Sequence, residues 1–501
     1  MKKNNLMSGA LILSIGGVLA KVFSAIYRIV LTRILGGEGI GIYQLIFPFY
    51  SLCVTFATAG LPMAISKVIA KNTGNEKLVL KKCFGFSMCI SLILALILSL
   101  SANGLAYIQG QEQISICYII LAPSLLFISA SSVLRGYFQG KHNFTPSAVS
   151  NILEQLAKLL LGLILSLSMI KVSLFSSIIG AIIAIVVSEA VSLVVLLKFI
   201  KKEKINAKSK AKVSVKEIVT DVLPITLTNI VLPISTFVDS VLVVNLLATN
   251  FSKDVSVFLY GLESGAVSSL ISLPTIFSFS IASVILPNII NSKVDYNKNQ
   301  KLTFAIKIIL IITIPCVICF ALIPNRLITV LYNTRLNSFG INGTKIAARL
   351  LTWSGFGVVF LAINQIYSSC LQAVEERYVT IRNLSLAVIV KFVVEVIFMP
   401  SKFLNIYVLA IANTLCYALV FVLNHLEIKN KFKIKINYMF IAKLIFSNCV
   451  MILSLIIVLS LKNSAINTIL AALVAIVVYL ICLIQTKILN RTDVALFKYK
   501  V

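Results

Sequence analysis

Several charged residues interrupt the long apolar segments of this 501-residue chain, and they are the first candidates for chemistry. Lys21 and Arg28 are seven residues apart, so they share one face if residues 8–34 form a helix. Ionisable side chains inside apolar segments are costly and mark functional sites by default. Two cations on one face are suited to an anionic group such as a phosphate, to which Arg gives two parallel hydrogen bonds. The alternatives are a structural ion pair or snorkelling, and snorkelling is favoured for Arg33, which lies near the end of its segment.

Two acidic residues are candidates for a different role, the binding of a coupling cation, either Na⁺ or a proton. Asp239 falls in the middle of an apolar segment with no basic residue within one helical turn. Glu263 lies near the start of the next apolar segment. Isolated acids in membrane helices mark ion pathways and proton relays. The alternative for Asp239 is an ion pair with the helix that carries Lys21 and Arg28.

Two pairs of opposite charges have the i,i+4 spacing of one helical turn, Glu154 with Lys158 and Lys391 with Glu395. Residues at this spacing meet on one helix face and neutralise each other. We therefore interpret both as structural intramembrane pairs. Arg135 follows the end of another apolar segment, where it either guides an anionic head group or caps a loop on the cytoplasmic side.

The sequence lacks the motifs of several other chemistries. It contains no Gly-x-x-x-x-Gly-Lys-Ser/Thr motif, so nothing indicates ATP hydrolysis. Two histidines and ten scattered cysteines give no spacing typical of a zinc site. We recognise no catalytic constellation. The sequence therefore predicts a protein that is not an enzyme and has no metal or cofactor besides the coupling cation.

The segments that must position these residues are predicted to be membrane helices. Apolar residues make up 59% of the chain and charged residues 12%, whereas a soluble domain has about 25% charged residues. Apolar runs of about 20 residues recur, each long enough to cross a bilayer. These runs are continuous rather than alternating, which favours helices over a β-barrel. The predicted fold class is an all-α polytopic membrane protein with about 14 transmembrane helices.

The basic residues indicate which helix ends face the cytoplasm. Most of the 45 Lys and Arg fall on one side when the N-terminus is placed inside, including the runs 67–82, 198–216 and 429–443. The segment 325–349 is an exception, since it is basic but predicted to be external. The asymmetry predicts an inner-membrane protein with both termini cytoplasmic. The net charge of +28 then reflects topology and anionic lipids rather than nucleic-acid binding.

Two stretches of the chain resemble each other, which suggests an internal duplication. Residues 36–62 and 261–287 align Gly36 with Gly261 and Glu38 with Glu263, and further along the chain Lys158 aligns with Lys391. Parallel repeats of this kind occur in secondary transporters, with the substrate site between the halves. We therefore predict two pseudo-symmetric six-helix lobes and two C-terminal helices: 1–200 as the first lobe, 201–216 as a basic cytoplasmic linker, 217–427 as the second lobe, and 428–501 as helices 13 and 14 with a cytoplasmic tail.

Two motifs resemble a known family. Residues 21–36, KVFSAIYRIVLTRILG, resemble the first helix of MurJ-type lipid II flippases. Residues 134–155, LRGYFQGKHNFTPSAVSNILEQ, are similar to the RGxFQG…TPxAxSQxxEQ motif of the stage V sporulation protein B group. Both groups belong to the multidrug/oligosaccharidyl-lipid/polysaccharide (MOP) exporter superfamily. The resemblance extends over essentially the whole chain.

This resemblance implies a V-shaped pair of lobes around a cationic cavity, with the two extra helices forming a groove for a lipid tail. It implies a flippase that moves an undecaprenyl-pyrophosphate-linked cell-wall precursor, lipid II or a related lipid-linked oligosaccharide, to the external leaflet by alternating access. The cell-wall synthesis machinery is a candidate partner. The residues expected to line the cavity are Lys21, Arg28, Arg33 and Arg135.

The chain departs from the MurJ pattern at several positions. Tyr27 stands at the second cationic position of the first helix, and Arg28 follows where an acid is usual. Ser269 and Ser272 stand where MurJ proteins carry Arg and Glu. These departures favour the sporulation-type subgroup.

Two alternative functions remain. One is a cation-coupled multidrug antiporter of the same superfamily, which is disfavoured because the cationic strip formed by Lys21 and Arg28 would repel cationic drugs. The other is a membrane glycosyltransferase or polymerase.

Overall fold

The computed structural model is almost entirely helical. It describes residues 2–58, 60–71, 76–203, 215–290, 295–373, 377–432, 437–461 and 464–489. Within them the one β-type contact is an isolated bridge between Ser338 and Ile341. The all-α fold class is therefore confirmed. Most of the predicted linker and the tail beyond residue 489 lie outside the described residues.

The first half of the chain forms a bundle that we call the N-lobe. Its helices are α1 (Lys2–Thr58), α2 (Leu61–Lys71), α3 (Glu76–Leu100), α4 (Ala102–Ile108), α5 (Ser115–Gly140), α6 (Thr145–Met169) and α7 (Leu174–Ile200). Helix α6 packs on α1 and α7, and α5 packs on α2, α3 and α7.

The second bundle, which we call the C-lobe, is centred on one long helix that packs on several others. Two final helices, α16 and α17, pair with each other beside it. The helices are α8 (Val215–Leu247), α9 (Lys253–Gly261), α10 (Ser268–Ile290), α11 (Asp295–Leu322), α12 (Pro324–Tyr332), the central α13 (Gly343–Ala373), α14 (Arg377–Phe398), α15 (Tyr407–Lys431), α16 (Tyr438–Leu461) and α17 (Ala465–Gln485).

Helix α1 consists of two arms, because the chain kinks at Gly36. This residue has φ 70° and ψ −172°, a conformation that essentially only glycine adopts. An added Cβ would also lie 2.9 Å from the carbonyl oxygen of Arg335. We call the two halves the first and second arm, this end of the molecule the Gly36 end, and the opposite end the linker end. The predicted topology makes the Gly36 end external.

Twelve described segments are long and apolar enough to cross a membrane, so the chain is a multi-pass membrane protein. One segment, Ile15–Ile69, includes both arms of α1. Helix α14 is not among the twelve, since its 22 residues include four charged ones. The predicted count of 14 is therefore not confirmed.

Hydroxyl and amide groups join the helices within each lobe. Ser166 of α6 and Ser177 of α7 each donate to the other's carbonyl oxygen, at 3.2 and 2.9 Å. In the C-lobe, Asn383 of α14 donates to Asn424 of α15 at 3.0 Å. Such bonds and small side chains hold membrane helices together, because lipid exerts no hydrophobic force between them.

The predicted external loop 325–349 is mostly regular structure rather than an open loop. It contains α12, a 3₁₀ turn over Asn333–Leu336 and the start of α13. Tyr332 is fully buried and donates to the carbonyl oxygen of Ala266 at 3.1 Å. This contact anchors α12 on a π-helical turn, Leu262–Val267, which lies between α9 and α10. Such π turns are frequent at functional sites.

Candidate functional site

The first arm of α1 and helix α6 bring two cations together, Arg28 and Lys158. Both side chains are half-buried, and their charges act on each other. The Lys158 ammonium lies 5.5 Å from the ring centroid of Tyr27 and 6.0 Å from that of Phe47. Within the described part of the chain neither cation has a carboxylate partner. Neither cation therefore forms a salt bridge there, although Glu189 of α7 and Glu154 of α6 lie close enough to act on the charge of Lys158.

Glu154 does not neutralise Lys158, because this carboxylate is bound elsewhere. The guanidinium of Arg135, on α5, donates to Glu154 at 2.7 Å and to Ser192 of α7 at 2.7 Å. Its Nε donates to Ser150 at 3.2 Å. The predicted i,i+4 pair of Glu154 with Lys158 does not form, since the fork of Arg135 offers the carboxylate a closer charge. Arg135 thus joins α5, α6 and α7.

Aromatic hydroxyl residues surround Arg28. Tyr27 is buried against Gly162 of α6, where its ring occupies the space of an absent side chain. Tyr43 of the second arm and Tyr332 of α12 lie close enough to interact with the charge of Arg28. Because α12 belongs to the C-lobe, Arg28 faces the boundary between the lobes. Phosphate oxygens at this place would meet cations and hydroxyl donors together.

The other two predicted cations of the first arm, Lys21 and Arg33, differ from each other in exposure. Lys21 is half-buried, as is Arg28 two turns later, whereas Arg33 is exposed. An exposed Arg near the Gly36 end is the arrangement expected for snorkelling. Lys21 and Arg28 remain the predicted cationic strip, and the structure adds Lys158 to it.

In the C-lobe, the corresponding lysine is neutralised. Lys391 of α14 forms an ion pair with Asp239 of α8 and lies 3.4 Å from the hydroxyl of Ser235. Its ammonium is also 3.8 Å from Glu395, one turn along α14. The predicted Lys391–Glu395 pair is therefore present as the longer of two contacts. The partner of Asp239 lies on α14, and not on α1 as the structural alternative supposed.

Glu263 lies in the π-helical turn, buried beside α13. One of its oxygens accepts a hydrogen bond from Ser354 at 2.7 Å, and the other has no partner within the described residues. The π turn carries Glu263 between α9 and α10. Glu263 and Asp239 remain predicted ion-coupling residues.

The RGYFQGK motif has a packing role at the linker end. Gly136 and Gly140 of α5 lie so close to α2 that a Cβ on either would be 2.9 Å or less from it. Lys141 donates to Glu76 at 3.0 Å and to Tyr137 at 3.2 Å. Burial lowers the pKa of Lys141, but the bonds to Tyr137 and Glu76 raise it more, so that it lies above its usual value.

At the Gly36 end the two lobes are in direct contact. Gln109 is fully buried, accepts from Tyr118 at 2.7 Å and donates to Ser240 of α8 at 3.0 Å. Asn245 of α8 donates to the carbonyl oxygen of Ile108 at 2.9 Å. These contacts close the Gly36 end between the lobes.

Two glycines complete this closure. Gly41 of the second arm and Gly261 of α9 pack backbone against backbone, with no room for a Cβ on either. Gln111 adds an exposed hydrogen bond to Asp254, at 2.7 Å. The lobes therefore meet through α1, α4 and the segment after it on one side and α8 and α9 on the other.

Residues 6–293, more than half of the chain, match the family described as polysaccharide biosynthesis protein. The chain belongs to this family. This polysaccharide biosynthesis family member is 34% identical to stage V sporulation protein B of Bacillus subtilis (strain 168) over 165 residues. That alignment spans 32% of each protein, so about a third of the relative's length is matched.

A second relative of this family member is matched over most of its length. Lipid II flippase MurJ of Bacillus subtilis (strain 168) is 22% identical over 424 residues, 78% of this chain and 77% of that one. A solved structure titled lipid II flippase MurJ, inward closed conformation, has the same fold, with TM-score 0.71 and 17% identity. It covers 94% of this chain and 98% of that one. The predicted resemblance to stage V sporulation protein B and to MurJ-type flippases is confirmed.

The sequence did not reveal that Lys158 lacks a carboxylate partner among the described residues, because the i,i+4 rule pairs it with Glu154. One signal pointed the other way, since the internal repeat aligns Lys158 with Lys391, each at the same place in its lobe. Equivalent lysines suggest equivalent positions facing the inside of a lobe. In the structure Lys158 is half-buried and Lys391 is buried. Lys391 is paired with Asp239 and Glu395, whereas Lys158 forms no salt bridge within the described residues.

Proposed function

We propose that this protein is a flippase that moves an undecaprenyl-pyrophosphate-linked cell-wall precursor, lipid II or a related lipid-linked oligosaccharide, from the cytoplasmic to the external leaflet. The observation that carries the proposal is the pair of cations at the lobe boundary, Arg28 and Lys158, neither of which forms a salt bridge within the described residues. A pyrophosphate carries roughly two negative charges, which two cations with tyrosine hydroxyls beside them are suited to bind.

The relatives support this class of cargo. One relative, which aligns over most of its length, is named a lipid II flippase, and another is named a sporulation protein. The sugar portion of the cargo is left open between lipid II and other lipid-linked oligosaccharides. The cell-wall synthesis machinery and anionic lipids are the proposed partners.

The closed Gly36 end supports alternating access. In the predicted topology this end is external, and we infer that cargo enters between the lobes from the cytoplasmic side. The cargo would bind Arg28 and Lys158, the contacts at the Gly36 end would separate, and the lobes would close at the linker end. A rocking motion of two repeats around a fixed site is the usual mechanism of such transporters.

The membrane potential is the proposed driving force. Moving one charge through 100 mV is worth about 2.3 kcal/mol, so outward movement of a doubly charged anion gains about 4–5 kcal/mol when the interior is negative. No ATP is required. The same field draws the empty, positively charged site back towards the cytoplasm.

A reconstituted transport assay tests the proposal. We expect vesicles with the wild-type protein to move lipid II, or another undecaprenyl-pyrophosphate-linked sugar, between leaflets, and Arg28→Ala and Lys158→Ala each to slow this roughly tenfold or more. Arg33→Ala is the matched control, because it removes an exposed cation of the same helix. Equal rates in all four proteins would contradict the proposal. Export of a cationic dye in place of the anionic lipids would favour the antiporter alternative.

A further inference from the structure

A group of three charged residues inside the C-lobe does not balance its charge. Asp239, Lys391 and Glu395 are exposed by only 6%, 4% and 0%. Two carboxylates and one ammonium sum to one negative charge. An uncompensated charge buried away from water is strongly destabilising, and a buried carboxyl group takes up a proton instead of remaining charged.

Several carboxyl oxygens of the group also lack a hydrogen-bond donor. Lys391 donates to one oxygen of Asp239, whereas the other oxygen of Asp239 and both oxygens of Glu395 have no partner within the described residues. Buried polar atoms are nearly always bonded. The two carboxyl groups are close enough to act on each other. A proton on Glu395 would turn one orphan acceptor into a donor directed at Asp239.

The groups that face the cluster from neighbouring helices do not supply the missing positive charge. Glu263 of the π turn is acidic and accepts from Ser354. Tyr260 of α9, together with Cys416 and Tyr417 of α15, is neutral at ordinary pH. Across the described chain, Lys391 is the cation that pairs with these acids.

A metal cation is not a suitable substitute for the proton. The ammonium of Lys391 already lies between the two carboxylates and would repel a second cation. The described residues also contain no group of three or more His, Cys, Asp or Glu side chains arranged to hold a metal ion. A proton needs no coordination shell and fits between two carboxyl groups.

We propose that Asp239, Lys391 and Glu395 form a proton-binding site in the C-lobe, in which Glu395 carries one exchangeable proton and Na⁺ does not bind. On binding, an O–H bond forms between the proton and a Glu395 oxygen. On release this bond breaks and the proton returns to water. The site goes beyond the proposed function and does not depend on the identity of the cargo.

Infrared difference spectroscopy of the purified full-length protein tests the site without a substrate. We expect the wild type at neutral pH to show a protonated carboxyl band that disappears in Glu395→Gln. We expect the band to be unchanged when K⁺ is replaced by Na⁺. Glu154→Gln is the matched control, since that carboxylate forms a salt bridge with Arg135 and its removal should leave the band in place.

A second variant tests the charge balance itself. Asp239→Asn leaves one carboxylate with one ammonium, so Glu395 should ionise beside Lys391 and the band should disappear although Glu395 is still present. A band that is absent from the wild type, that persists in Glu395→Gln or Asp239→Asn, or that moves when Na⁺ is added would overturn the proposal. Loss of the band in both variants, without any response to Na⁺, would support it.

Discussion

The two lobes place aligned lysines in opposite electrostatic situations. Lys158 of the N-lobe has no carboxylate partner among the described residues and lies on the rings of Tyr27 and Phe47. Lys391 of the C-lobe is buried between Asp239 and Glu395. Of the two aligned lysines, the one in the N-lobe thus forms no salt bridge among the described residues, whereas the one in the C-lobe forms two.

The difference arises from one residue that the C-lobe does not match. In the N-lobe, Arg135 binds the carboxylate of Glu154, so that Glu154 forms no salt bridge with Lys158. In the C-lobe, the acid on α8 reaches the lysine directly. Under the two proposals made above, the N-lobe binds the anionic cargo and the C-lobe exchanges a proton, and the lobes differ in which residue binds the acid.

The largest expected effect is the destabilisation caused by Lys391→Met. Removing one partner of a buried ion pair leaves uncompensated charge and costs about 3–5 kcal/mol. Thermal and denaturant unfolding in detergent micelles measure this loss. The triple variant with Asp239→Asn and Glu395→Gln removes the acids as well and should recover most of the stability.

The matching change in the N-lobe, Lys158→Met, should have the reverse profile. A cation without an ion-pair partner contributes within about 0.5 kcal/mol to stability, so unfolding should be unchanged. Transport should fall roughly tenfold or more, since a hydrogen bond to a charged group is worth about 1.5–3 kcal/mol. Stability loss without transport loss would mean that the two lysines play similar structural roles.

Arg135→Gln tests whether Arg135 keeps Glu154 away from Lys158. The change releases Glu154, which then competes with the cargo for Lys158 one turn away. We expect transport to fall by about 1 kcal/mol, or about fivefold. Adding Glu154→Gln should restore transport, because it removes the released acid, while Glu189 acts on Lys158 in the wild type and in both variants. Failure of the double variant to recover would instead support direct contact between Arg135 and the cargo.

The smallest expected effect is that of Lys141→Met at the linker end. Lys141, whose side chain is 24% exposed, contacts the buried Glu76 at 3.0 Å and the partly exposed Glu203 at 3.7 Å. Glu76 keeps its hydrogen bond from Tyr137 in the variant, so we expect a loss of about 1 kcal/mol. Its pKa is raised in the folded protein. Its contribution is therefore complete at neutral pH and is lost only as the pH rises through that raised value. Unfolding of wild type and variant across alkaline pH measures this difference.

The sequence predicts the helical class, the membrane location and the intramembrane charges, because these follow from apolar run lengths. It does not predict the kink at Gly36, since residues 8–34 are expected from their hydropathy to form one helix that ends before this glycine. In the structure, helical geometry continues on both sides of Gly36, and the contact with Arg335 is made by a chain segment from the other lobe.

The pairing of charges was not predictable from spacing. The i,i+4 rule treats a helix as isolated, and within one helix Glu154 and Lys158 are natural partners. The position of Arg135 relative to α6 depends on how α5 packs, which the glycines at 136 and 140 set by allowing α2 to approach. Long-range packing of this kind leaves no local pattern in the sequence.

The closure at the Gly36 end has a consequence for ionic strength. Its contacts are amide and hydroxyl hydrogen bonds and a backbone contact between Gly41 and Gly261, with Asp254 as the charged participant among those described. Dissolved salt screens charge pairs but has little effect on bonds between neutral groups. The strength of this closure should therefore stay nearly constant as the salinity of the surrounding medium changes.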